Sequence, residues 1–249
     1  MKKELKQKIK QDDFVSIVEQ AAGWFTTHRE EARVTAIVLV LLAAGGGALA
    51  YFQSHRSSEA EQAFSEALET FRAPVQNEQP EGTEKPPAGA LPYATASEKY
   101  RKAAAGFDGI DRKYGSLVAA RRARYYAALC RIELGETAEA EKALTALAAD
   151  KDTKSLEPAL ARVALADLYR RSGQAEKAIE AYRMLAADAT LPLPRDHALM
   201  NLARTLEEVH RLPEARDSYR RLSEEFPSSV YAGEARQRAS YLETAAHHG

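Results

Sequence analysis

The sequence predicts an all-α protein: an N-terminal amphipathic helix, one transmembrane helix, then an α-solenoid of stacked helix pairs. Three observations predict it. Alanine supplies 48 of the 249 residues while Val, Ile and Thr are sparse; Ala is the best helix former, whereas β-branched residues favour strands. Residues 34–52 form a run of 19 without a charge. Beyond it, three segments of one pattern recur at a nearly constant period, the signature of repeated supersecondary units.

Composition also excludes classes. Lys+Arg 35 against Asp+Glu 36 leaves no cationic excess for phosphates, so nucleic acid is not an expected partner. A single cysteine rules out an intramolecular disulfide framework and any multi-cysteine metal site.

Residues 1–33 open with Lys2, Lys3, Lys6, Lys8 and Lys10. Phe14, Ile17, Val18, Ala21, Trp24 and Phe25 then recur at three- and four-residue spacing, which places them on one helix face. Such a helix either lies on the cytoplasmic leaflet or a membrane partner, or merely orients the anchor.

Residues 34–53 are the transmembrane segment. The 19 uncharged residues would make a helix about 29 Å long, close to the ~30 Å hydrocarbon core. Tyr51 and Phe52 stand at one end, where aromatic rings prefer the interface. A cleaved signal peptide is the rival reading, since Ala48-Leu49-Ala50 fits small-x-small cleavage. Against it, 33 residues precede the apolar run. Gly45, Gly46 and Gly47 would allow close helix approach, but glycine is common in membrane helices anyway. Arg29 and Arg33 on one side tie with Arg56 and Arg72 on the other. The lysines of the short N-terminal segment break the tie, placing the N-terminus in the cytoplasm and the remainder outside.

Residues 54–245 form the repeat domain. Residues 57–73 read as a helix with Ala60, Phe64, Ala67, Leu68 and Phe71 on one face. Residues 74–93 hold five prolines and two glycines without an apolar period, and read as a flexible loop. Helical patterning resumes near Thr95.

Residues 123–147, 161–185 and 198–222 align without gaps. Small residues match as Ala128, Ala166 and Ala203, then Ala140, Ala178 and Ala215. Large ones match as Leu144, Tyr182 and Tyr219, then Leu147, Leu185 and Leu222. Gly135, Gly173 and His210 share the turn position. Antiparallel helices approach closely only where a small side chain faces the partner. Each pair then leaves an apolar face uncovered, so neighbouring pairs must stack.

This pattern resembles the tetratricopeptide repeat, carried by Leu165, Ala166, Tyr169, Gly173, Ala178 and Tyr182, and by Leu202, Ala203, Leu206, Ala215, Tyr219, Leu222 and Pro227. The first segment departs most, with Arg131 and Leu144 at the aromatic positions. Ala140 to Ala178 is 38 residues and Ala178 to Ala215 is 37, longer than the family's period of about 34. An interrupted pair precedes the three, its second helix lined by Ala96, Tyr100, Ala103 and Phe107. A last unpaired helix, from Tyr231 to near Ala245, caps the stack, and 246–249 form a frayed tail.

The layout also resembles the YfgM-like ancillary subunits of the Sec translocon, single-pass inner-membrane proteins with periplasmic repeats. Residues 113–144, opening Lys-Tyr-Gly-Ser-Leu-Val-Ala-Ala, carry that likeness. It implies a bacterial inner-membrane protein, N-terminus cytoplasmic and repeats periplasmic, with translocon subunits, a periplasmic chaperone or secreted polypeptides as partners. Residues 224–235 (EEFPSSVYAGEA) are similar to repeats of outer-membrane assembly lipoproteins and cell-division coordinators, which makes an envelope assembly role the alternative. Those proteins carry a lipid-attachment cysteine after a signal peptide, whereas Cys130 lies within a repeat helix.

No enzyme signature is present: no GxSxG, GxGxxG or GxxxxGK[ST], and no His/Cys spacing for a metal. A non-enzymatic scaffold without cofactor, metal or small-molecule substrate is expected. His247 and His248 are a tail pair rather than a ligand set. Cys130 matches Leu168 and Thr205 by position and is expected to be a buried thiol. The tetratricopeptide resemblance implies ligand contacts from the first helix of each pair. Those positions are Arg122, Tyr125, Leu129 and Ile132, then Val163, Asp167 and Arg170, then Met200, Arg204 and Glu207. Mixed charges with some apolar residues suit an extended peptide or a partner's tail.

Overall fold

The structure is a computed structural model that describes residues 29–76, 93–150, 156–190 and 193–248. The predicted amphipathic helix lies outside these residues, as does most of the 74–93 loop. The described residues form nine α-helices: α1 (Arg29–Arg72), α2 (Ala96–Tyr114), α3 (Val118–Glu133), α4 (Thr137–Ala148), α5 (Glu157–Arg171), α6 (Ala175–Ala187), α7 (Arg195–Glu208), α8 (Leu212–Glu225) and α9 (Ala232–His248). They contain no strand beyond one isolated bridge, Val75 to Tyr93. The all-α reading therefore holds, and the chain divides into two compact units, Met1–Arg56 and Ser57–Gly249.

In the first unit, α1 carries the apolar run. Among the described residues, the stretch Ile37–Arg72 is the one helix long and apolar enough, by length and composition, to cross a membrane. The large apolar side chains described between residues 37 and 52 are exposed, Leu41 at 66% and Leu42 at 67%. The sequence reading separates a span at 34–53 from a helix at 57–73, whereas α1 runs through both ranges. Residues 53–58 (QSHRSS) contain neither Pro nor Gly, so nothing local ends the helix there.

The second unit is a solenoid of antiparallel pairs. Its first pair joins the end of α1 to α2. Phe64, Phe71, Phe107 and Tyr126 form an aromatic cluster with ring centroids 5.4 to 6.5 Å apart, tying α1 and α2 to α3. Such contacts contribute about 0.5–1.5 kcal/mol each beyond area burial. The two ends of the intervening segment meet: the Gln76 amide donates to the Tyr93 carbonyl at 3.1 Å, and Val75 and Tyr93 are buried. The predicted loop boundaries at 74 and 93 thus fall on an anchored junction. Thr95 caps α2 by accepting from the Glu98 amide.

Three further pairs follow, α3/α4, α5/α6 and α7/α8, with each second helix also packed on the first helix of the next pair. Ala128, Ala140, Ala166, Ala178, Ala203 and Ala215 are all fully buried, so each methyl fills a close helix contact that a larger side chain would overpack. Leu144, Tyr182, Tyr219 and Leu222 are buried a turn further on.

The turns inside the pairs are one motif used three times. Gly135 has φ 77°, Gly173 φ 74° and His210 φ 59°. In each, the next residue's amide returns to the helix: Glu136 to Arg131, Gln174 to Tyr169, Arg211 to Leu206, at 2.8–2.9 Å. This left-handed helix stop suits glycine, which has no Cβ to clash. α9 stands where the first helix of a fifth pair would and buries Ala232, Ala235 and Leu242. It runs to His248, past the expected end near Ala245, and no Pro or Gly stands between Glu234 and His248 to end it earlier.

Candidate partner-binding groove

The first helices α3, α5 and α7 carry all ten groove residues, and the structure treats them unequally. Five of the ten, Tyr125, Leu129, Ile132, Val163 and Asp167, line one cleft of about 190 Å³. Phe71 and Tyr100 from the interrupted pair, with Glu133, Ala164, Leu168 and Arg171, complete its wall. Phe71 and Tyr100 meet edge to face at 5.7 Å. The apolar face of residues 57–73 signals Phe71, but only the folded chain brings it beside α3.

The remaining five are already engaged. Arg122 ion-pairs with Glu61 and lies over the Phe64 ring at 4.7 Å, so it ties α3 to the first pair. Arg170 faces Glu208 on α7 at 3.5 Å. Met200 is 1% exposed and shares a core cluster with Ala235 and Leu242 of α9. Arg204 donates to Glu234 on α9 at 2.8 and 3.1 Å. Glu207 accepts from Arg238 on α9 and from the Tyr219 hydroxyl at 3.1 Å. The Arg238 guanidinium holds the Glu207 carboxyl below the usual carboxylate range, against the opposing effect of burial. The groove of the α7/α8 pair is therefore occupied by the chain's own last helix.

The three pairs differ in a patterned way. At two matched first-helix positions they carry Leu129 and Ile132, Asp167 and Arg170, and Arg204 and Glu207. Opposite stand Leu144, Tyr182 and Tyr219 on the second helices. Where that residue is tyrosine, an acid one helix away takes its hydroxyl: Asp167 takes Tyr182 at 2.5 Å and Glu207 takes Tyr219. Where it is Leu144, both positions are aliphatic. A buried hydroxyl needs an acceptor and a buried leucine does not. Burial, with the neighbouring carboxylate, raises the Tyr182 and Tyr219 phenol pKa values, so both remain donors.

Cys130 is fully buried on α3, as its match to Leu168 and Thr205 predicts, and burial pushes its thiol up to about 12. No group of three His, Cys, Asp or Glu among the described residues is placed to hold a metal. Repeated helix pairs with an open cleft between them define the class of protein-interaction scaffolds.

The sequence matches the tetratricopeptide repeat-like domain family over residues 23–190 and the tetratricopeptide repeat over 197–229. The chain belongs to the tetratricopeptide repeat-like domain family. Comparison with curated proteins gives no match. Among solved structures, putative kinesin light chain nearly identical TPR-like repeats from Podosopora anserina are 14% identical over 61% of this chain and 81% of theirs, with a TM-score of 0.50. A point variant of the same repeats is also 14% identical, over 61% and 80%, with a TM-score of 0.49. At this identity the likeness shows the fold alone.

Proposed function

We propose that the chain is a membrane-anchored interaction scaffold of the bacterial inner membrane, acting near the Sec translocon. Residues 1–33 lie in the cytoplasm, 34–53 cross the bilayer, and the repeat domain at 54–245 stands in the periplasm. Its partners are translocon subunits, a periplasmic chaperone or secreted polypeptides. The observation that carries this reading is continuity. The family match begins at residue 23, runs through the whole apolar stretch and ends inside the repeats at residue 190. A detachable leader is not expected within a match of that kind. Among the described residues, the apolar window of α1 finds no cover, as a lipid-facing helix requires.

Two linked measurements test it. Protease added to spheroplasts should digest the part after His55 and spare the N-terminus, and mild-detergent affinity purification should recover translocon subunits or a periplasmic chaperone. Protection of the repeats would invert the topology. Repeated recovery of envelope assembly or division complexes instead would replace the translocon with the alternative role.

A further inference from the structure

The open cleft combines an apolar wall with acids at its edge. Phe71, Tyr100, Tyr125, Leu129, Ile132 and Val163 supply the wall. Asp167 and Glu133 supply the acids. The Asp167 carboxylate is held by the neutral Tyr182 hydroxyl, which fixes its position without cancelling its charge. No cation among the described residues ion-pairs with it; its helix neighbour Arg170 ion-pairs with Glu208 at 3.5 Å and also interacts with the Tyr182 hydroxyl. The Glu133 carboxylate has Arg171 at 3.8 Å, beyond hydrogen-bond reach, with the two side chains 44% and 61% exposed. With Arg170 matched to Glu208, the edge carries the two carboxylates Asp167 and Glu133 against one loosely held guanidinium, Arg171.

A ligand group must satisfy both features. A purely apolar side chain would desolvate Asp167 without offering it a donor. A carboxylate would meet like charge. A long basic side chain answers both, with its methylene stem along the aliphatic wall and its cationic head at the acids, beside aromatic rings that attract cations. The cleft volume of about 190 Å³ accommodates one such side chain. We propose that this cleft is a receptor for a single basic residue, arginine or lysine, within an extended segment of a partner polypeptide. The proposal rests on the interaction-scaffold reading and names the chemistry of its ligand.

The test uses the full chain in detergent micelles and fluorescein-labelled Gly/Ser peptides read by anisotropy. One peptide carries Leu-Ser-Arg at its centre; the others replace the arginine by citrulline, its neutral near-isostere, or by glutamate. The arginine peptide should bind about tenfold tighter than the citrulline peptide, the scale of a charge-assisted contact with cation–π support. Asp167→Asn keeps an oxygen for the Tyr182 hydroxyl and should shrink that preference to about twofold or less. Glu133→Gln, at an exposed position, should shrink it in the same direction. Equal binding of arginine and citrulline peptides, preference for glutamate, or no peptide binding would overturn the proposal. Partner proteins recovered by affinity purification despite equal peptide binding would leave the scaffold reading standing and remove only the basic ligand.

Discussion

The Tyr182 hydroxyl on α6 donates to the Asp167 carboxylate on α5 at 2.5 Å, joining the two helices of one pair across their buried seam. The same link recurs between Tyr219 and Glu207 with the acid one turn later. Each pair therefore carries an internal polar tie where its packing residue is tyrosine, and none where it is Leu144.

Tyr182→Phe removes the donor and keeps the ring. It should lower stability by about 1–2 kcal/mol, the cost of losing a hydrogen bond to a partly buried charged acceptor. Urea titration followed by circular dichroism measures it. Leu144→Tyr should cost more, because no acid stands at position 129 or 132 to take the new hydroxyl and the side chain is fully buried. An unchanged midpoint in both variants would refute the tie.

His210 is the one non-glycine described residue with positive φ, at the turn where Gly135 and Gly173 stand in the other pairs. The left-handed conformation costs an ordinary residue about 1–2 kcal/mol, while glycine loses more chain entropy on folding by about 0.5–1 kcal/mol. His210→Gly should raise stability by several tenths of a kcal/mol to about 1. Gly173→Val should lower it by more than about 1 kcal/mol, roughly the left-handed penalty. Thermal or urea unfolding reads both changes. A destabilised His210→Gly would mean that the imidazole contributes more than its backbone strain costs.

Cys130 should resist maleimide near neutral pH in the folded chain. Burial denies access, and a thiol pushed up to about 12 holds almost no thiolate. Urea should expose it to full labelling. Mass spectrometry that finds native labelling as fast as denatured labelling would contradict the buried position.

The attachment of α9 should weaken in acid. Arg238 lowers the folded-state pKa of Glu207 beneath its unfolded value near 4.5. The Glu207 contribution to stability is therefore complete above pH 4.5, and is lost as pH falls from there through the depressed folded value. Hydrogen exchange of α9 amides should accelerate across that window before the central pairs respond. Glu207→Gln should remove most of the dependence. Uniform loss of protection along the whole solenoid would point to global charge instead.

Much of this architecture is legible in the residues. The alanine spacing gives the paired helices, because a close helix contact tolerates little else. The turn glycines are equally explicit, and His210 can be placed only because the other two pairs show what the position demands. The groove is less legible. A sequence shows which side chains share a helix face, but not what the adjoining pair sets opposite them. Arg170, Arg204 and Glu207 look available on their own helices and are taken by Glu208, Glu234 and Arg238. Met200 matches half-buried Tyr125 and Val163 by position, yet lies in the core shared with α9. Phe71 and Tyr100 join the cleft across an interruption that hides their neighbourhood.

The bridge between Val75 and Tyr93 has a consequence for how this chain can vary. The 16 residues from 77 to 92 leave and re-enter the first pair at two points already bonded to each other. Lengthening or shortening that insertion changes the entropy of closing a loop, which grows only slowly with length. It does not change the spacing of α1 and α2 or the register of anything stacked on them. Related chains can therefore differ in the length of that segment while keeping the spacing of α1 and α2.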